Sequence, residues 1–140
     1  MRKLVSLTVL ALFCAAATAS GQLREFTVVA QGAAKSSDKA EDIANAGVLK
    51  KYDTIIRQEL KSCDAPLQAE PYLPQTGNQN IDRGHNKKKD SAIVRMTLTF
   101  TAKDHTDLVR AALDSLDALR REKILECIST KKLDINEKSP

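Results

Sequence analysis

Histidine is scarce in this chain, with only His85 and His105 among 140 residues. A metal centre built on them would need a third ligand at a recognisable spacing. Neither His-Glu-x-x-His nor Cys-x-x-Cys occurs. There is no Gly-x-Ser-x-Gly turn to raise a nucleophilic serine, and no Asn-x-Ser/Thr acceptor for N-glycosylation. No stretch approaches the roughly twenty apolar residues that span a bilayer, so no stable membrane anchor is expected. Without a catalytic, metal or cofactor signature, the expectation is a non-catalytic protein that needs no cofactor.

The amino terminus carries the clearest signal. Arg2 and Lys3 precede an apolar run from Leu4 to Phe13, and small residues then lead to Ala17-Thr18-Ala19. A charged start, a short apolar centre and an Ala-x-Ala end describe a secretory leader, so residues 1–19 are expected to be cleaved. A lipid-anchor signal would instead read Leu-(Ala/Ser)-(Gly/Ala)-Cys. Here the residues are Ala11-Leu12-Phe13-Cys14, with bulky Phe13 where a small residue is required. The mature chain is therefore expected to be periplasmic or secreted.

Removing residues 1–19 leaves residues 20–140, a single small domain by length. Arg2 and Lys3 leave with the leader, so the formal charge of +4 falls to +2 and gives no argument for nucleic acid. Cys63 and Cys127 remain, and an even count in an exported chain favours a disulfide. Closing a loop of that length is assigned roughly 4 kcal/mol by the chain-entropy account.

Residues 23–31, LREFTVVAQ, alternate in polarity: Phe26, Val28 and Ala30 share one side, and Gly32 closes the stretch. The period then lengthens. Ala40, Ile43, Ala44, Gly47, Val48, Tyr52, Ile55, Leu60 and Cys63 recur at threes and fours. This predicts an amphipathic helix over about 38–62, started by Asp38 with Glu41. Gly47 is expected to mark close packing on the strand layer.

The plan repeats in the second half. Val94, Met96, Leu98 and Phe100 alternate with Arg95, Thr97, Thr99 and Thr101 over residues 91–102. A second helix follows, capped by Asp104 or Thr106, with Val109, Ala112, Leu113, Leu116, Leu119 and Cys127 on its stripe. His105, beside Asp104, is expected at the surface.

Residues 64–90 lie between these units and hold three prolines, two glycines and many polar residues. They are expected to contain a short strand around Leu67–Leu73, or else to be mobile in part. The tail segment KKLDIN, from Lys131, is a further candidate edge strand.

The fold class that follows is α+β: a small two-layer sandwich with two amphipathic helices on one face of a small sheet. Its order is β-α-(β)-β-α-(β), and the strand order stays open. Parallel helices would bring Cys63 to Cys127. So would an early break near Arg120-Arg121 that lets Cys127 lie in a returning segment.

Arg83, His85, Lys87, Lys88 and Lys89 form the densest basic run. They are the candidate contact for a polyanion or a partner, although Asp82 and Asp90 flank them and no aromatic is interleaved to stack on bases. The expected function is that of an exported binding or accessory protein of the bacterial envelope. It would contact another envelope or extracellular protein through residues 65–90, with inhibition of an extracellular enzyme as one form. The alternatives are polyanion binding through the basic run and an enzyme of unrecognised class. Homodimerisation by extension of the sheet is a further expectation.

Overall fold

The computed structural model describes residues 22–131. The expected leader and the KKLDIN strand beyond Lys131 lie outside the described residues. Strand β1 (Phe26–Ala34) leads into helix α1 (Ser37–Ser62). Strands β2 (Asn78–Asn86) and β3 (Ser91–Phe100) form a hairpin. Helices α2 (Ala102–Ala112) and α3 (Ala118–Thr130) complete the chain. The sheet is antiparallel in the order β1-β3-β2. Helices packed against a small sheet make the fold α+β.

The core follows from the two alternating strands. Phe26 lies opposite Phe100, Val28 opposite Leu98 and Ala30 opposite Met96, and all six are buried. Helix α1 closes over them with Ala40, Ala44, Val48, Tyr52, Ile56 and Leu60. Phe26, Tyr52 and Phe100 stack as one aromatic cluster, with centroids 4.9–6.4 Å apart. Ile43 and Ile55 are not at the centre of the inner stripe: Ile43 is half-exposed and Ile55 only partly buried. The buried residues follow strict steps of four from Ala40 to Ile56, which turns Ile43 outward.

Gly32 does not end β1. The strand runs two residues further, because α1 crosses it there at a distance no side chain allows. A Cβ on Gly32 would sit 2.0 Å from the Ala40 carbonyl oxygen and 2.7 Å from the Ala44 nitrogen. Gly47 does mark close packing, since a Cβ there would come within 2.9 Å of Ala30 Cβ.

Helix starts also differ from expectation. Ser36, not Asp38, caps α1 by accepting from the Lys39 amide. Thr101, not Asp104 or Thr106, caps α2 by accepting from the Asp104 amide. In both, a hydroxyl just outside the first turn meets an orphan amide three residues on.

The second helical segment breaks at Leu113–Asp117, earlier than Arg120-Arg121. Asp117 caps the new helix by accepting from the Arg120 amide. The break lets α3 return toward the end of α1, where Cys127 and Cys63 are joined by a disulfide with Cα atoms 6.0 Å apart. Parallel β1 and β3 strands are not needed for this bond, and the two run antiparallel. Among the described residues, no helix is long and apolar enough to cross a membrane.

Candidate functional site

The segment 64–90 divides into two parts of different character. Residues 64–77 contain no strand, so the stretch Leu67–Leu73 is a loop. It is nonetheless tightly held. At its start, Asp64 takes a left-handed backbone (φ 54°). The Ala65 amide returns to the Leu60 carbonyl and the Asp64 amide to that of Lys61, closing α1 in the manner usual for a glycine at that place.

Two side chains one turn apart on α1 then organise the loop. Asp53 and Arg57 pair at 2.9 Å. Arg57 also donates to the Gln68 carbonyl (3.1 Å) and the Glu70 carbonyl (2.8 Å), with that of Ala69 at 3.5 Å. Asp53 accepts from the Tyr72 amide at 2.7 Å. The Arg57 guanidinium lies over the Tyr72 ring, 5.2 Å from its centre, and the Tyr72 hydroxyl accepts from the Gln68 amide. The rigid planar fork of arginine suits this arrangement, in which successive loop carbonyls converge on one cation.

The loop so fixed forms one wall of an open groove of about 300 Å³, lined by Tyr52, Ile56, Tyr72, Leu73, Leu108 and Ala112 among others. Leu73 is 58% exposed and Leu67 43%. A second hollow of about 270 Å³ lies between α1 and β2, lined by Asn45, Leu49, Gln75, Gly77 and Gln79; Gln75 borders both. Gly77, at φ 117°, permits the turn into β2, where a Cβ would meet the Phe100 ring at 2.9 Å. Tyr52 is held protonated above its ordinary range, chiefly by burial and secondly by the nearby charge of Glu59.

The second part of the segment is strand β2 and its turn. The basic run is therefore neither a loop throughout nor a single cluster. Arg83 and His85 lie on the strand side that faces the helices, opposite Val94 and Ala92. Each is matched by a carboxylate: Arg83 to Glu41 at 2.8 Å and His85 to Asp90 at 3.2 Å. Lys87, Lys88 and Lys89 occupy the exposed turn. The Asn86 side chain shapes that turn by accepting from the Lys88 and Lys89 amides, and Asp90 takes the left-handed backbone (φ 46°). None of the five basic residues lines either hollow.

His105 is not at the surface. It and Glu59 are each 2% exposed and bonded at 2.9 Å through Nε2 and Oε1. Nδ1 donates to the Arg24 carbonyl, also at 2.9 Å, and the ring meets Phe26 edge-on at 4.6 Å. The space beside the pair is about 10 Å³, room for no more than one water. This pair ties the segment before β1 to α1 and α2. Stepping back by four from Val109 along the apolar stripe reaches His105, and stepping on by seven from Tyr52 reaches Glu59. That periodicity was the signal for both. Among the described residues, no three histidine, cysteine, aspartate or glutamate side chains gather closely enough to hold a metal ion.

Comparison of the chain with known protein families, with characterised proteins and with solved structures finds no match.

Proposed function

We propose that this is an exported, non-catalytic binding protein of the bacterial envelope, and that it holds an extracellular or envelope protein through residues 65–90. The observation that carries the reading is the Asp53–Arg57 bracket. It fixes a proline-rich loop that exposes Leu67 and Leu73 beside an open groove of mixed polar and apolar lining. A loop already ordered before contact loses little freedom on binding, and exposed apolar side chains on such a loop supply the contact area. The leader-like first nineteen residues and the Cys63–Cys127 disulfide support an oxidising location. Inhibition of an extracellular hydrolase is one form this binding takes in the proposal.

The test uses the oxidised exported chain as bait, with Leu73→Asp as its comparison. A partner retained in a stoichiometric complex by the parent and released by Leu73→Asp, at unchanged circular dichroism, supports the reading. Equal retention by both overturns the loop as the contact. The run of three exposed lysines favours polyanion binding as a second reading. In that case a sulfated matrix retains the chain at low salt and loses it when Lys87, Lys88 and Lys89 are all replaced by alanine. Identical elution of parent and triple variant ends that reading.

A further inference from the structure

Among the described residues, strand β2 is paired on one edge only. It pairs with β3, yet every one of its nine residues is exposed or only partly buried. Helix α1 packs mainly on β1 and β3 and meets β2 through the Glu41–Arg83 pair. The opposite edge of the sheet is guarded: Lys51 of α1 donates to the Val29 carbonyl at 2.6 Å, a lysine placed where it discourages further strand pairing. Among the described residues, no lysine is bonded to a β2 carbonyl in this way. Its only apolar side chain, Ile81, faces the helix side opposite Met96 and is partly buried against the core.

We propose that a second copy of this chain pairs with β2, antiparallel, about a two-fold axis that passes through Ile81. The choice of partner rests on self-complementarity. An antiparallel pair related by a two-fold axis sets residues of the same sheet face opposite one another, and each contact occurs twice. Centring the axis on Asp82 would oppose two aspartates, and centring it on Arg83 would oppose two arginines. Like charges directly opposite are destabilising.

Centring on Ile81 avoids both. It sets the two Ile81 side chains together on the helix side and Asn80 opposite Asp82. Gln79 then lies opposite Arg83, and Asn78 opposite Gly84. The Asn80 amide then donates to a carboxylate, and the Gln79 carbonyl oxygen accepts from a guanidinium. The same register carries the two Lys87–Lys89 turns to opposite ends of the pair, roughly 45 Å apart at about 3.3 Å per residue. That is far beyond the Debye length of about 8 Å, so their like charge does not oppose pairing. The result is a six-stranded sheet with both α1 helices on one face.

Sedimentation equilibrium of the oxidised chain tests this. The parent is expected to pass from monomer to dimer as concentration rises. Ile81→Lys and Ile81→Glu are each expected to weaken dimerisation at least tenfold, because each opposes its own copy across the axis. An equal mixture of the two is expected to dimerise again. A parent that stays monomeric to millimolar concentration overturns the proposal, and so does an Ile81→Lys chain that dimerises like the parent.

A second measurement reads the register directly. Single cysteines at positions 79, 81 and 83, with Cys63–Cys127 intact, are oxidised at a concentration where the dimer forms. Only Ile81→Cys is expected to give a linked dimer, since its two Cβ atoms lie about 5 Å apart. Maximal linkage at 83, or equal linkage at all three, contradicts the register. Neither experiment involves Leu73 or an added partner, so its outcome is separate from that of the loop proposal.

Discussion

Strands β1 and β2 are the same length, nine residues each, and both flank β3. They are otherwise opposites. In β1, alternate side chains are buried under α1, Gly32 lets the helix backbone touch the strand, and Lys51 closes the outer edge. In β2, no residue is buried, Gly84 has open space around it, and no lysine among the described residues is bonded to its outer edge. Burial therefore holds β1 in place, whereas β2 is held chiefly by its ladder to β3 and a short turn, with Ile81 and the Arg83–Glu41 pair as its links to the helix side. One side of this small sheet serves the core, and the other is exposed or only partly buried.

The sharpest way to break that comparison is to add one methyl group to each strand. Gly32→Ala is expected to cost about 4 kcal/mol or more, because its Cβ collides with helix backbone that has nowhere to go. Gly84→Ala meets nothing within 4 Å and is expected to stay within about 0.5 kcal/mol of the parent. Urea denaturation of the two variants measures both.

Next in size is the buried pair beside β1. Glu59→Ala removes one member and leaves His105 Nε2 without its partner in the interior, with an expected loss of about 1–3 kcal/mol in the same assay. Arg57→Ala follows. It releases the carbonyls of Gln68 and Glu70 from a half-exposed site, an expected loss of about 1–2 kcal/mol. Limited proteolysis within 66–73 is expected to accelerate in that variant.

Tyr52 gives a pH dependence. In the unfolded chain its phenol titrates near about pH 10. In the folded chain burial, aided by Glu59, holds the proton to higher pH. The folded state thus binds the proton more tightly. This contribution to stability is complete below about pH 10 and is lost as pH rises above it. Tyr52→Phe is expected to flatten the alkaline fall, measured as Tm between pH 8 and 11. The smallest effect is expected on the exposed turn, where replacing Lys87, Lys88 and Lys89 by alanine should change stability by under about 0.5 kcal/mol.

The same contrast explains what was legible in the sequence. β1 and β3 announce themselves because Phe26, Val28, Ala30 and Val94, Met96, Leu98, Phe100 alternate under a helix. β2, NQNIDRGHN, offers one apolar residue in nine. Its strand character comes from pairing with β3, which period-two hydrophobicity does not report. The basic residues within it consequently read as a loop cluster, although two of them belong to a strand and are matched by carboxylates. The break after Leu113 was obscured because Leu116 and Leu119 continue the apolar spacing, while Asp117 starts a new helix with its side chain. His105 reads as a surface residue because Asp104 stands beside it, and Glu59 gives no signal because a charged residue on an apolar stripe is usually discounted. Here each is the other's partner. The Asp53–Arg57 bracket rests on bonds to loop backbone, which residue spacing does not encode.

The most direct measurement of the difference between the two edges is residue-resolved amide hydrogen exchange of the oxidised chain at low and high concentration. If β2 is completed by a second copy, the alternate β2 amides not bonded to β3 gain protection as concentration rises, centred on Ile81, while the amides of β1 are unchanged. Exchange in β2 that is the same at both concentrations would contradict it.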